Sequence, residues 1–398
     1  MIMQSLLHPP RAQRGYAMLG VFALIGLFAA TAITTQLGAA ALGNRQNNTT
    51  TAALALAKQA LISRAASDGN HPGSLPCPDA VTNIAGTNIP NDGIADLLAG
   101  AACPQHIGRL PWRTLGLPDL RDADGERLWY MVAPAYHDSP AKIINAGTSG
   151  QLTAYDCTDS AAATPAWPCD VPRLVSVTPW VAVVFSAGAT VATQLRSGAT
   201  ANDPAQFLES YNAADPWRLR IAGAGAYNDR IASITTDDVH AQVQRRIAAE
   251  LQSVLSKYVA ITAAQGTPSL PWPAASCISS TQCNATSLSA PLPAIAQGYL
   301  PSDDVILNQL MTAQNMTWFD HNHWRAVFAY AIDAQCGNSG TPELCGRHFA
   351  GAAAGLIPPG ATIVGGQSNA LVPDTRGLLT FGGVAAGTGK SRIAIAIH

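Results

Sequence analysis

A chain of 398 residues with a net charge of −2 and only 12% charged side chains offers no basic surface for nucleic acid, and at this length two or three domains are expected. Hydrophobic residues make up 48%, swollen by alanine and one apolar run, while 34 glycines and 27 prolines point to much loop; the composition excludes a disordered chain and leaves enough apolar material for a core. The first element is a short basic leader that ends at Arg14-Gly15. Tyr16-Ala17-Met18-Leu19 comes next and opens an apolar run to about Leu42, with no charge before Arg45. About 20 apolar residues span a bilayer core. Arg11 and Arg14 on the leading side predict a cytoplasmic N-terminus, with the rest of the chain beyond the membrane. The run exceeds the 7–15 residues of a secretory signal peptide, although Gly38-Ala39-Ala40 supplies small residues of the kind found at a cleavage site. A plain signal anchor accounts for the same stretch.

Asn44 to Thr51 reads as a polar hinge. Over Ala52–Ala66, Leu54, Ala57, Leu61, Ile62 and Ala65 recur at helical spacing, with Lys58 and Arg64 on other faces. Asp68-Gly69 is the expected stop, glycine being the usual residue past a helix end. Basic leader, Gly15, aromatic Tyr16, unbroken apolar helix and then amphipathic helix together form an order that resembles the signal of type IV pilins and pseudopilins. The resemblance implies cleavage after Gly15 by a prepilin peptidase and N-methylation of Tyr16. It also implies an assembly helix that includes Leu19, Gly20, Phe22, Leu24 and Ile25. The family places a glutamate five residues into the mature chain, to pair with the amine of a neighbouring subunit; Gly20 stands there instead. Among these proteins the missing glutamate resembles the pseudopilin at the filament tip.

Beyond the helix, Pro72 to Asp79 and Asn91 to Asp96 are turn-rich. Leu128–Val132, Arg173–Val177 and Val181–Phe185 read as strands, with Pro179 as a break. A second amphipathic helix starts near Thr235, where Thr235 and Asp238 form a capping box. Val239, Val243, Ile247, Leu251, Val254, Leu255, Tyr258 and Ile261 make its apolar stripe. The stretch after this helix echoes the first half. Ser74-Leu75-Pro76 returns as Ser269-Leu270-Pro271, Gly108-Arg109-Leu110-Pro111 as Gly298-Tyr299-Leu300-Pro301, and the strand from Trp129 as Trp324 to Phe328. This predicts a tandem duplication of one helix-plus-sheet module. At the end, Gly377–Phe381 and Arg392–Ile397 read as paired strands.

Eight cysteines fall as sequence neighbours, Cys77 with Cys103, Cys157 with Cys169, Cys277 with Cys283 and Cys336 with Cys345. In an exported chain an even count points to disulfides, and pairing in sequence order is the simplest of the possible connectivities. Asp79, Asp92 and Asp96 are the first candidate set of oxygen ligands for Ca²⁺, and Asp122 and Asp124 beside Glu126 a second. The resemblance supports calcium, since several pilin-like proteins bind it in head loops. Neither loop has the spaced ligands of an EF-hand, and Asp-Gly is foremost a turn signal. Asp320-His321-Asn322-His323 is a candidate for a transition metal or simply a polar loop. Gly387-Thr388-Gly389-Lys390-Ser391 lacks the first glycine of a phosphate loop, since position 384 is valine. No nucleophile elbow or zinc-protease motif occurs.

The expected fold class is α+β: a long N-terminal membrane-spanning helix followed by two tandem pilin-like modules, each a helix on an antiparallel sheet. The expected divisions are a leader over 1–15, the N-terminal helix over 16–66 (16–42 for membrane and assembly, 52–66 amphipathic), a first head over 67–230 and a second over 231–398. The function expected is a non-enzymatic minor pilin or pseudopilin at the tip of a pilus or secretion filament. Its partners would be other pilins, the prepilin peptidase and inner-membrane lipid, with no nucleic acid. It would sit in a bacterial inner membrane by a single span, with its heads in the periplasm. A signal-anchored periplasmic binding protein or adhesin outside any filament is the alternative. For it, Trp112, Trp129, Tyr130, Trp272 and Trp324 are candidates for a binding surface, against burial in the core.

Overall fold

A computed structural model describes residues 43–82, 89–159, 167–191, 194–223, 227–266, 269–274, 276–277, 283–284, 295–333, 354–357, 371–373 and 379–381. The chain divides into two compact units, 1–52 and 53–398. Of the first, residues 43–52 are described, and they are helical, so Asn44 to Thr51 is not the hinge that its polar sequence predicts. The leader, Gly15, Tyr16 and the apolar run with Leu19, Gly20, Phe22, Leu24 and Ile25 lie outside the described residues. Among the described residues no helix is long and apolar enough to cross a membrane.

The second unit is mixed α+β with mainly antiparallel sheets. Its helices are α1 (residues 53–67), α2 (Thr236–Ala264), α3 (Val305–Ala313) and α4 (Thr317–His321). Its strands are β1 (Ile107–Arg109), β2 (Trp129–Val132), β3 (Thr153–Cys157), β4 (Arg173–Leu174), β5 (Trp180–Ser186), β6 (Arg218–Gly223) and β7 (Arg230–Thr235). They continue with β8 (Ser276–Cys277), β9 (Cys283–Asn284), β10 (Ile295–Tyr299), β11 (Ala329–Asp333), β12 (Ala354–Ile357), β13 (Leu371–Pro373) and β14 (Leu379–Phe381).

The central sheet runs β1-β2-β5-β7, antiparallel throughout. β2 and β5 are buried along their whole length. Both faces of the sheet are therefore covered, which explains why Trp129–Val132 and Val181–Phe185 are continuous apolar runs of β-branched and aromatic residues rather than alternating ones. On one face Tyr130, Val132, Val181 and Val184 join Leu54, Ala57, Leu61 and Ile62 of α1 and the stripe of α2. On the other, Trp129, Met131, Val183 and Phe185 meet Leu152, Ala154, Phe207 and Leu219. This second layer is a small sheet ordered β4-β3-β6, in which β3 and β6 are parallel, a pairing the sequence pattern does not predict.

α2 begins as its sequence predicts. Thr235 accepts from the Asp238 amide and Asp238 accepts from the Thr235 amide, a complete capping box. The apolar stripe is buried from Val239 to Tyr258, but Ile261 is 37% exposed. Thr262, four residues past Tyr258, takes the buried place, with its hydroxyl tied to the Ser269 amide and carbonyl. α1 stops at Asp68 for a different reason from the expected one. Gly69 does not take the left-handed conformation; Asp68 Oδ1 instead accepts the amides of Asn70 and His71. Arg246 of α2 donates to the carbonyls of Ala66 and Asp68 and so satisfies the end of α1.

The two halves share a register as well as a vocabulary. Asp79, four residues past Leu75, forms an antiparallel bridge with Arg109, and Ala274, four past Leu270, forms one with Tyr299. Gly108 faces Tyr130 in the β1–β2 pair, and Gly298 faces Tyr330 in the β10–β11 pair. A third antiparallel strand completes each, β5 beside β2 and β12 beside β11. The counterpart of Tyr130 is thus Tyr330, and the expected strand over Trp324–Phe328 is not one. Trp324–Ala326 is a 3-10 turn after a left-handed His323. Arg325 is buried there and holds the turn by donating to Leu300 and Pro301 carbonyls and to Asp320.

Of the expected strand over 173–177, only Arg173–Leu174 is a strand. β14 pairs with β13; Arg392–Ile397 and the Gly387–Ser391 stretch lie outside the described residues.

Candidate functional site

Cys77 is bonded to Cys103 and Cys157 to Cys169, the pairing in sequence order. Cys283 is also disulfide-bonded, and Cys277 stands opposite it in the β8–β9 ladder. Cys336 and Cys345 lie outside the described residues.

The Cys77–Cys103 bond closes the loop that carries the first candidate carboxylates. Asp79 forms the bridge to Arg109 and is 1% exposed. Its Oδ2 accepts the Gly93 amide at 2.7 Å, while its Oδ1 is buried with no hydrogen-bond partner. Gly93 has φ +85°, and a Cβ there would lie 2.4 Å from the Trp112 ring, so only glycine lets the loop turn under this indole. Burial, reinforced by the charges of Asp92 and Asp96, raises the Asp79 carboxyl to about 6. Asp92 Oδ1 accepts from the Ile94 amide and Asp96 Oδ2 from the Ala80 amide.

Asp122 is a loop staple. Its Oδ1 accepts the amides of Asp124 and Glu126, and its Oδ2 the Ser186 hydroxyl and the Gly188 amide, which ties the 122–126 turn to the end of β5. With four acceptances both oxygens are saturated, so the turn reading of Asp-Gly describes what this residue does. Among the described residues, the set of three His, Cys, Asp or Glu side chains whose ligand atoms lie within 4.8 Å of one another is Asp68, His71 and Asp138; neither proposed calcium set is such a group.

The aromatic residues do not form a surface. Trp129, Tyr130 and Trp324 are fully buried. Trp112 and Trp272 are half-buried. Arg109 lies over Trp129 at 4.0 Å and Phe207 at 4.8 Å from ring centres, and donates to the Arg127 carbonyl. Burial brings this guanidinium down to about 10.

Two buried groups carry no clear mark in the sequence. Asp229 accepts the Ser210 amide at 2.7 Å, and burial together with the neighbouring Glu209 charge drives its carboxyl strongly upward. Glu209 in turn accepts the amides of Asn228 and Asp229. His240, inside α2, lies 3.2 Å from the Tyr136 hydroxyl, which donates to Thr148 O; the imidazole therefore carries its proton on Nε2. Burial lowers His240 to about 4 and keeps it neutral at physiological pH. A histidine at an apolar helical position beside a core residue was the available signal. Asp229 had none, since its partner lies in another loop.

The His321-x-His323 pair does not act as a unit. Asp320 is taken by Arg325, and His323 is exposed in the left-handed conformation. His321 instead packs edge-on against His71, ring centres 5.7 Å apart. Compared with known protein families, characterised proteins and solved structures, the chain shows no match.

Proposed function

We propose that the chain is a non-enzymatic minor pilin or pseudopilin-like subunit, cut after Gly15 and incorporated at the tip, or as initiator, of a type IV pilus or type II secretion-type filament. The observation that carries this reading is the order from Arg14 to Ala66. A prepilin-type junction leads into an uncharged apolar run and then into a helix, α1, whose Leu54, Ala57, Leu61, Ile62 and Ala65 are buried against an antiparallel sheet. The shared register of the two blocks agrees with two such modules in tandem, packed on a common apolar cluster.

The mechanism is assembly. In the membrane, lipid covers the apolar run; in a filament the same residues of neighbouring subunits do, so one surface serves both states. A head extending over residues 67–398 crowds a close-packed shaft. Gly20, where the family has its pairing glutamate, removes the need for a subunit beyond it. Both favour the tip. The heads then face the periplasm, on a single span of the inner membrane.

Intact mass and N-terminal sequencing of the chain from its native membrane fraction test this. The expected start is N-methyl-Tyr16, and Gly15→Ala should leave the leader attached while the heads stay folded. A start at Met1 in the unaltered protein would sink the filament reading and leave a signal-anchored periplasmic protein.

A further inference from the structure

The small sheet that covers the central one ends in an open edge. Its order is β4-β3-β6, so among the described residues β4 has a neighbouring strand on one side only. Val175 donates its amide to the Ala154 carbonyl, and Arg173 stands opposite Asp156, so both turn their backbone groups toward β3. By strand alternation the N–H and C=O of Leu174, the N–H of Ser176 and the C=O of Pro172 point the other way. The side chains along this edge are apolar and uncovered. Val177 is 94% exposed and Leu174 52%, and Val171 and Val175 are exposed beside them. Arg173, the one charged residue from 171 to 177, is paired with Asp156 of its own chain. The edge is also held in place: the Cys157–Cys169 disulfide closes the connection from β3, and Ser176 Oγ accepts the Ala154 amide. Natural sheets blunt their edges with charges, bulges or covering segments, and an exposed apolar edge is a template for another strand.

We propose that this edge pairs with the same edge of a second copy of the chain, antiparallel and centred on Leu174. The run Val171-Pro172-Arg173-Leu174-Val175-Ser176-Val177 is complementary to itself in that register. Leu174 exchanges both backbone bonds with Leu174 of the other copy. Each Ser176 amide donates to the opposite Pro172 carbonyl, so the amide that proline lacks leaves only the Ser176 carbonyl to solvent. A pairing centred on Pro172 would lose both exchanged bonds, and one centred on Ser176 would draw on Trp180, which β5 already pairs with Thr235. Centred on Leu174, the two leucines meet, Arg173 faces Val175, and the two outer valines flank the ends. No like charges stand opposite each other. The same patch on both partners is the requirement of a two-fold contact.

An edge of this length covers a small interface, under about 1,200 Å² in total, the size of transient rather than obligate pairs. Pairing therefore belongs to the micromolar range and to chains concentrated on one membrane or one filament. The inference does not depend on cleavage after Gly15, since the edge is built from residues 153–177 alone.

The test is analytical ultracentrifugation of the full-length chain in detergent micelles, joined to oxidative cross-linking of single cysteine variants. The unaltered chain should pass from monomer to dimer through the micromolar range. Leu174→Cys should form a disulfide-linked dimer, because directly opposed residues that exchange backbone bonds have Cα atoms about 5.5 Å apart, within disulfide reach. Val177→Cys should not, since two copies of that residue lie roughly 20 Å apart in this register. Leu174→Lys sets two cations against each other and should weaken the dimer at least about tenfold. Val177→Lys changes a side chain that touches little of its own fold and should weaken it in the same direction, which keeps the test open if Leu174→Lys fails to fold. A chain that stays monomeric through the micromolar range overturns the proposal. So does a dimer of unchanged strength in both lysine variants, which would place the contact elsewhere, such as the apolar run. Cross-linking of Val177→Cys as efficient as that of Leu174→Cys overturns the register and the proposal with it.

Discussion

Asp79 shows how a single carboxylate sets a pH dependence. Its folded value near 6 lies above the ordinary 3.8 because it is buried, beside Asp92 and Asp96, with one oxygen unpartnered. A raised carboxyl contributes stability that is complete below about pH 4 and lost as pH climbs through 6. Asp79→Asn keeps an acceptor for the Gly93 amide and removes the charge. Its denaturation midpoint should match the unaltered chain at pH 4 and exceed it at pH 7; a lower midpoint at pH 7 would show that the ionised form is held by something else, such as a cation. The residue scale was the least legible in the sequence. Asp92-Gly93 and Asp124-Gly125 read correctly as turns, because turn chemistry is local. That Asp79 is buried depends on Arg109, thirty positions on, and on Trp112 above Gly93. The same holds for Asp229 and Glu209, which no local pattern joins, and for the meeting of His71 with His321.

At the scale of elements, α1 and α2 were the legible helices, while α3 and α4 carried no reading in the sequence. The 3.6-residue spacing of Leu54, Ala57, Leu61 and Ile62 and the Thr235 capping box rest on nearest-neighbour physics, and each is found where the pattern puts it. Leu61 is fully buried between α2 and the sheet, so Leu61→Ala should cost roughly 2–5 kcal/mol, read as a lower denaturation midpoint at unchanged slope. An effect under about 0.5 kcal/mol, as at an exposed site, would place α1 off the core. The strands were legible where they are long and apolar, in β2 and β5. β3 and β6, which pair in parallel with Thr153 opposite Arg218, 65 positions on, carried no such signal. The Trp324 turn misled for a specific reason: Arg325, read as part of a strand, is buried in a 3-10 turn and donates to the Leu300 and Pro301 carbonyls and to Asp320.

For the whole molecule, the two blocks share one of two apolar clusters. Leu61 and Tyr130 lie in a cluster with Leu307, Phe319 and Tyr330, so the two blocks are continuous on that face of the central sheet, while the cluster around Trp129 and Phe185 is built from buried residues of the first block alone. The two disulfides described with both partners, Cys77–Cys103 and Cys157–Cys169, act on local loops. Cys77 and Cys103 are 26 positions apart, and removing their bond with a Cys77→Ser, Cys103→Ser pair should cost about 3.5 kcal/mol on the loop-closure account. Calorimetry of the oxidised and doubly substituted chains measures this, and an unchanged melting temperature would mean that the bridge to Arg109 alone fixes the loop.

The attachment of α1 has a mechanical consequence. Its apolar side is buried along its length, Lys58 pairs with Asp238 at 2.8 Å, and Arg246 grips its last carbonyls. Tension applied along the axis of α1 would load these contacts side by side, in shear, and none could yield without the others. Tension across the axis would peel them one at a time. An element fastened in this way resists withdrawal along its own axis and gives way most easily to force across it.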